Sequence, residues 1–283
     1  MNCFGLIWWL WIFPLPQCSR LVGMGFFLPP RLTPVPAFIA GADHERLCRS
    51  EATLLDSINL ARTHFGASRL SCFADFFDTD LDLLTTWPEI EHYPQRTGAR
   101  YWGPILSRLP GKAPDWRIGS APRAFAYLNY RKLEVVLQAI ESSGVDALVY
   151  CPGAPEIITN RFANAHIKFS KEIYAFDRVL VEAAVLICHG NFGTVWEGLL
   201  HGKPMVCLPV HVEQSIATQR LVEFGVAIQP GSDMTVGSIK DALLRLLIHP
   251  EYRTAAQRVA LKYQHHNASA HLDGLVDAST AGF

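Results

Sequence analysis

The chain has 283 residues, 49% hydrophobic and 18% charged, with a formal net charge of −1. That length supplies one large or two medium domains with a substantial core. The near-neutral balance leaves no electrostatic case for nucleic acid or an anionic membrane surface as a partner. Seven cysteines make an odd count without a CxxC pair. Cys151, Cys188 and Cys207 lie in or beside apolar runs, where free cysteine behaves as a small hydrophobe, and the expected compartment is reducing and cytoplasmic.

The first stretch, "MNCFGLIWWLWIFPLPQCSR", is apolar from Phe4 to Phe13, but Pro14 and Pro16 interrupt it. It is too short to span a bilayer, and no Lys or Arg precedes it as in a secretory signal. Buried core, or a start that cuts into a larger gene, is the expected reading, with a signal or anchor as the alternative. "GFFLPPRLTPVPAF" reads as a Pro-rich connector. "DHERLCRSEATLLDSINLARTHF", about Asp43 to Phe65, places Leu47, Leu54, Leu55, Ile58, Ala61 and Phe65 on one helical face. "LDLLTTWPEI" predicts a short strand running into a turn and "QRTGARYWGPIL" a strand. A Gly-Lys-Ala-Pro linker follows. Residues 1–118 thus hold few elements for a self-sufficient domain.

From Ala121 the rhythm changes. "RAFAYL", "DALVYC", "AHIKFS", "VLIC", "PMVCLP" and "VAIQ" read as strands. "LEVVLQAIESSG", "FDRVLVEAA", "TVWEGLLHG", "QSIATQRLVEFG" and "VGSIKDALLRLLIH" read as helices. Short Val/Ile/Leu runs alternating with amphipathic helices predict βαβ units and a parallel sheet covered on both faces. Such doubly wound sheets bind ligands beyond the carboxyl ends of their strands. The expected organisation is a partial domain over 1–118, a ligand-binding α/β domain over 119–270 and a frayed tail over 271–283.

Two consecutive βα units deliver polar groups to that rim. In "HGNFGT", Gly190 and Gly193 permit a tight turn and close backbone approach, and Thr194 sits where an N-cap would sit. The following helix offers free N–H groups and a positive dipole end, suited to phosphate. His189 can add a directed N–H, and Glu197 can accept from a vicinal diol. "PVHVEQ" brings Glu213 and Gln214 to the next strand end, where a carboxylate beside an amide suits sugar hydroxyls. Taken singly, the His reads more readily as a satisfied structural residue and the Glu-Gln pair as a solvated helix start. Their joint spacing points to a nucleotide sugar.

"CHGNFGTVWEGLLHGKPMVCLPVHVEQ" resembles the donor-binding signature of GT-B UDP-glycosyltransferases, above all the bacterial macrolide and flavonoid group. Its pattern is HGGxGTxxE…GxPxxxxPxxxDQ, and "GFFLPPRLTPVPAF" and "TTWPEIEHYPQRTGARYWGPI" are similar to the same proteins. The resemblance implies a GT-B-like α/β fold: a Rossmann-type doubly wound donor domain plus an incomplete N-terminal acceptor domain. It implies His189, Thr194 and the Gly190–Asn191–Gly193 loop on the diphosphate, Glu197 on the ribose, and Glu213 with Gln214 on the sugar. It further implies a hexosyltransferase using a UDP-sugar as co-substrate, with no cofactor, inverting and metal-independent, acting on a small-molecule or lipid acceptor.

The chain departs from the pattern at several points. Asn191 replaces the second loop glycine and tolerates left-handed backbone. "YLNYRK" stands where a Gly/Ser-rich phosphate loop is usual, with Asn129 the substitute. "IYAF" replaces W-x-P-Q, leaving Tyr174 or Phe176 to stack on the base or to serve as core. The segment that resembles the family starts midway through its acceptor domain. No His stands in residues 1–20, and His44, His64 and His92 do not match the general-base motif, so no catalytic residue is assigned. The competing reading is a non-catalytic nucleotide-sugar-binding half of a truncated or split enzyme, completed by a partner chain or self-association. An epimerase of the same fold fits the Glu-Gln pair less well. Asp78, Asp80 and Asp82 have the DxD spacing of a metal-dependent class, but precede a short strand outside the phosphate-binding domain and read as a solvated acidic turn.

Overall fold

The computed structural model describes residues 11–14, 21–25, 28–35, 43–79, 81–93, 96–105, 110–129, 131–231, 233–267, 272–274 and 276–277. It divides into two compact units, Met1–Ile105 with Asn267–Phe283, and Leu106–His266. Most of the apolar run Phe4–Phe13 lies outside the described residues.

The first unit holds a three-stranded sheet in the order β1 (Trp11–Pro14), β2 (Leu21–Gly25), β3 (Leu81–Leu84), antiparallel then parallel. Helix α1 (His44–His64) is capped by Asp43, whose carboxylate accepts from the N–H groups of Glu45 and Arg46. Leu47, Leu54, Leu55 and Ile58 form its half-buried stripe, while Ala61 and Phe65 fall outside it, Phe65 being 81% exposed. The buried member is instead Asn59, whose amide pairs with both backbone groups of Leu70. "QRTGARYWGPIL" is no strand: its described part makes a single bridge, Leu84 to Tyr101, because a Gly and a Pro break the ladder. Asp78 and Asp82 turn toward Arg31 at 3.0 and 3.6 Å, and Thr79 donates to Asp82 at 2.6 Å. Asp80 lies outside the described residues.

The second unit is a six-stranded parallel sheet. Its strands are β4 (Arg123–Tyr127), β5 (Asp146–Tyr150), β6 (Ile167–Ser170), β7 (Val185–Cys188), β8 (Met205–Cys207) and β9 (Ala227–Ile228), in the order β6-β5-β4-β7-β8-β9. The chain therefore winds outward from β4 in one direction and from β7 in the other, which opens a crevice between their carboxyl ends. The helices are α2 (Leu133–Ser143), α3 (Glu156–Phe162), α4 (Phe176–Glu182), α5 (Phe192–Leu200), α6 (Val212–Glu223), α7 (Val236–Ile248) and α8 (Pro250–Lys262). α3 was not legible, because "PEIITNRFANA" gives under two turns of pattern.

Alternation of side chains along β4 explains the two cores. Ala124 and Ala126 face α2 and α7, packing with Val136, Leu137, Ile140 and Leu243. Phe125 faces the other way and meets Tyr174 and Phe176. Each fully buried Leu or Ile contributes about 1.5–3 kcal/mol. Cys188 and Cys207 oppose each other in register, both buried, as apolar strand residues. Among the described residues no helix is long and apolar enough to cross a membrane.

Candidate functional site

The carboxyl ends of β4, β7 and β8 carry the polar residues. β7 ends at Cys188 and hands on directly to His189, a residue 5% exposed. Its Nδ1 lies 2.7 Å from the Leu208 carbonyl, and its Nε2 lies 2.8 Å from the Asn129 N–H. A carbonyl only accepts and an amide N–H only donates, so Nδ1 carries the proton and the ring is neutral. Burial also lowers the His189 pKa, overcoming the opposing Leu208 bond. The imidazole thus pins the ends of β4, β7 and β8 together, with both nitrogens occupied, where the sequence suggested a free N–H aimed at phosphate.

Gly190 has φ +86°, and a Cβ there would stand 2.7 Å from Thr218 Oγ1 and 3.0 Å from the Gln214 carbonyl oxygen. Asn191 is extended, at φ −61° and ψ 134°, and is itself the N-cap of α5. The left-handed residue of this turn is therefore Gly190 and not Asn191. Because α5 begins at Phe192, Thr194 is its third residue rather than its cap, and the residue as a whole is 6% exposed. No side chain caps α5, and its first backbone bond runs from the Val195 N–H to the Asn191 carbonyl. The N–H groups of Phe192, Gly193 and Thr194 consequently project from the positive end of the helix. Gly193 is exposed, with nothing within 4 Å of a Cβ placed there. Glu197 is farther along α5, its side chain 18% exposed and its Oε2 3.7 Å from His201 Nδ1.

Helix α6 starts at Val212, so Glu213 and Gln214 belong to its first turn rather than to a loop. They part company there. Gln214 is 3% exposed: its Oε1 accepts from the Val210 N–H at 2.8 Å, and its Nε2 donates to Asn191 Oδ1. Glu213 makes no hydrogen bond or ion pair among the described residues, and burial raises its pKa against the pull of His211. A carboxyl whose folded pKa is raised binds protons more readily folded than unfolded. Its ionisation therefore costs stability as pH rises from about 4.3 through the folded value. Glu213→Gln should raise the urea midpoint at pH 7 and leave it unchanged at pH 4; equal midpoints at both pH values would show that Glu213 is not held dry.

A cavity of about 470 Å³ opens at this rim, lined by Arg131, Lys132, His189, Leu208, Pro209 and Val210 among others. Its volume is that of a small-molecule site. Asn129, the sequence's substitute for a phosphate loop, spends its Oδ1 on the Arg131 N–H at 3.0 Å and so shapes the turn. Arg131 and Lys132, two adjacent cations shortly after the first strand of this sheet, line the same cavity. Tyr174 is 1% exposed and its hydroxyl donates to Asp115 at 3.2 Å, which makes it core. Phe176 is half-buried at the start of α4, 6.0 Å from the Tyr127 ring, and remains at the rim.

Residues 172–269 match the family described as "Erythromycin biosynthesis protein CIII-like, C-terminal domain". The chain is 26% identical over 194 residues to a PGL/p-HBAD biosynthesis glycosyltransferase of Mycobacterium tuberculosis (strain ATCC 25177 / H37Ra), covering 65% of this chain and 44% of that protein. It thus spans less than half the length of this curated relative. Among solved structures it is similar to the glycosyltransferase of kitacinnamycin, with TM-score 0.71 and 15% identity over 91% of this chain and 69% of that one. It is also similar to the glycosyltransferase VinC in complex with DTDP, with TM-score 0.63 and 20% identity over 81% and 59%. The strand order of the second unit and these likenesses together identify its fold as that of a Rossmann-type GT-B glycosyltransferase donor domain.

Proposed function

We propose that this chain binds a pyrimidine nucleoside diphosphate sugar at the carboxyl rim of its parallel sheet and serves its transfer to an acceptor hydroxyl. One observation carries the reading: an α5 N-terminus without a side-chain cap and a partly buried Glu213 on α6, unpaired among the described residues, follow consecutive strands of one sheet. The first suits a diphosphate and the second a sugar hydroxyl. Likeness to a protein described as a glycosyltransferase and to one solved with DTDP supports the same assignment. In this reading Glu197 accepts from the ribose diol, and Phe176 offers the base an aromatic face. The Gly193 and Thr194 N–H groups and the Thr194 hydroxyl hold the diphosphate. The acceptor oxygen displaces the diphosphate with inversion at the anomeric carbon. Charge gathering on the leaving group is met by preorganised N–H dipoles of α5. Free buried thiols at Cys151, Cys188 and Cys207 go with a reducing, cytoplasmic setting.

Calorimetry with UDP and with dTDP tests this. Micromolar binding of either is expected, weakened about tenfold or more by Glu197→Ala, the scale of a lost hydrogen bond to a charged group. If neither nucleotide binds, or if the variant binds as the wild type does, the assignment fails. Turnover of a sugar nucleotide by the purified chain then separates a competent transferase from a half that only binds.

A further inference from the structure

Cys188 and Cys207 are register partners on adjacent parallel strands, and each is the last residue of its strand. Val185, Ile187 and Val206 pack into the core on the α2 and α7 side. Side chains alternate along a strand, so both cysteines point to the opposite face, where Leu186 and Met205 lie against Gly198 of α5. Both thiols are free and buried. Register partners in a sheet stand about 4.8 Å apart, inside the range of about 4.4–6.8 Å between Cα atoms of a disulfide. Bridged Cβ atoms stand about 3.8 Å apart, so closure would draw the two strand ends together by about 1 Å.

The two sulfurs are not equivalent. The Cys188 sulfur meets the Cys207 thiol and the Gly190 N–H, and the Cys207 contact holds its pKa below the ordinary thiol value against burial. The Cys188 contact and burial push the Cys207 thiol the other way. Cys188 is thus the better nucleophile and Cys207 its resolving partner. Strand β9 pairs with Met205 and Val206 and stops short of Cys207. A ladder end opens locally more readily than its middle, which gives a small oxidant its path.

We infer that Cys188 and Cys207 form a covalent modification site, a dithiol that hydrogen peroxide converts to a disulfide and thiols restore. The Cys188 thiolate attacks one peroxide oxygen and the O–O bond breaks. Hydroxide leaves, takes up the proton that Cys188 had shed, and a sulfenic acid remains. The Cys207 sulfur then attacks the Cys188 sulfur, the S–O bond breaks, and the oxygen departs as water with the Cys207 proton. Two thiols are oxidised and one peroxide is reduced to two waters. The bridge pulls on the residues next in the chain. His189 follows Cys188, and Leu208, whose carbonyl accepts from His189 Nδ1, follows Cys207. Oxidation therefore strains the histidine pin beneath the rim.

The test is to treat the full chain with hydrogen peroxide, alkylate it in urea and digest it with trypsin. Lys203 precedes Pro204, where trypsin does not cut, so both cysteines fall in one peptide, residues 179–220. After oxidation of wild type that peptide is expected to be lighter by two hydrogen atoms and to resist alkylation until dithiothreitol is added. In Cys207→Ala, Cys188 should proceed to the sulfinic acid instead. The wild-type result does not depend on that variant folding. Two alkylatable thiols in this peptide, at peroxide levels that oxidise the exposed Cys48, overturn the inference. A second readout rests on the nucleotide-sugar reading above. UDP and dTDP affinity should fall about tenfold in the bridged chain, the scale of one lost hydrogen bond, and return on reduction. Equal affinity of bridged and reduced wild type overturns the coupling of the bridge to the rim. A bridge that forms in a chain binding neither nucleotide in either state supports the modification site and sinks the nucleotide-sugar reading alone.

Discussion

Replacing His189 with alanine should destabilise the second unit by about 3 kcal/mol or more and weaken nucleotide binding by at least about tenfold. The imidazole satisfies the Leu208 carbonyl and the Asn129 N–H at once, at 2.7 and 2.8 Å. Truncation leaves both without a partner, at about 1–3 kcal/mol each, and opens a void beneath the site. In the proposed reading binding suffers because His189 directly precedes the Gly190–Asn191 turn that opens α5. His189→Gln, which keeps one donor and one acceptor, should recover part of the stability. The pH dependence follows from the same geometry. The folded pKa is depressed, so stability present above the unfolded value of about 6.5 is lost as pH falls through the folded value. Protonation puts a second N–H on Nε2, facing the Asn129 N–H. Urea midpoints measured from pH 8 down to pH 5 should therefore fall more steeply for wild type than for His189→Gln. An alanine variant as stable as wild type would refute the pinning role.

Gly190→Ala should be nearly as damaging, and Gly193→Ala should not. At Gly190 the left-handed backbone costs a β-carbon about 1–2 kcal/mol. Its collision with Thr218 Oγ1 at 2.7 Å and the Gln214 carbonyl at 3.0 Å adds about 1–3 kcal/mol of overpacking. At Gly193, inside the first turn of α5 and facing open space, alanine is the better helix former by about 0.5–1 kcal/mol. The new methyl group would instead stand over the free N–H groups that the proposed diphosphate site uses. The expected pair of results is a large drop in urea midpoint with Gly190→Ala, and a steady or raised midpoint with lost UDP affinity in Gly193→Ala. Equal behaviour of the two variants in both assays would show that the loop does not divide its glycines between folding and binding.

The parallel sheet was legible because its strands are short, uniformly apolar and punctuated by amphipathic helices, a pattern that buried βαβ units alone produce. "VLIC" and "PMVCLP" fall within a residue or two of β7 and β8. Helix starts were less legible. α5 begins two residues before the expected Thr194 and α6 two before the expected Gln214, since Asn191 and His211 carry the helix-entry backbone and no side-chain cap marks either. That displacement matters for the site. It moves Thr194 into the helix and turns Gln214 inward, leaving Glu213 the more exposed of the pair. Sequence also cannot tell a histidine with spare N–H from one whose nitrogens both meet backbone, because Leu208 and Asn129 reach His189 only through the tertiary fold.

The amide of Gln214 joins the residue that opens α5 to the backbone just ahead of α6. Two segments that the motif presents as separate fingers are thereby strapped together by one side chain. Exchanging Asn191 for glycine would cut the strap, free the carboxamide to meet a hydroxyl and let the fingers move independently. The side chain at 191 thus ties the start of α6 to the start of α5 through a single bond.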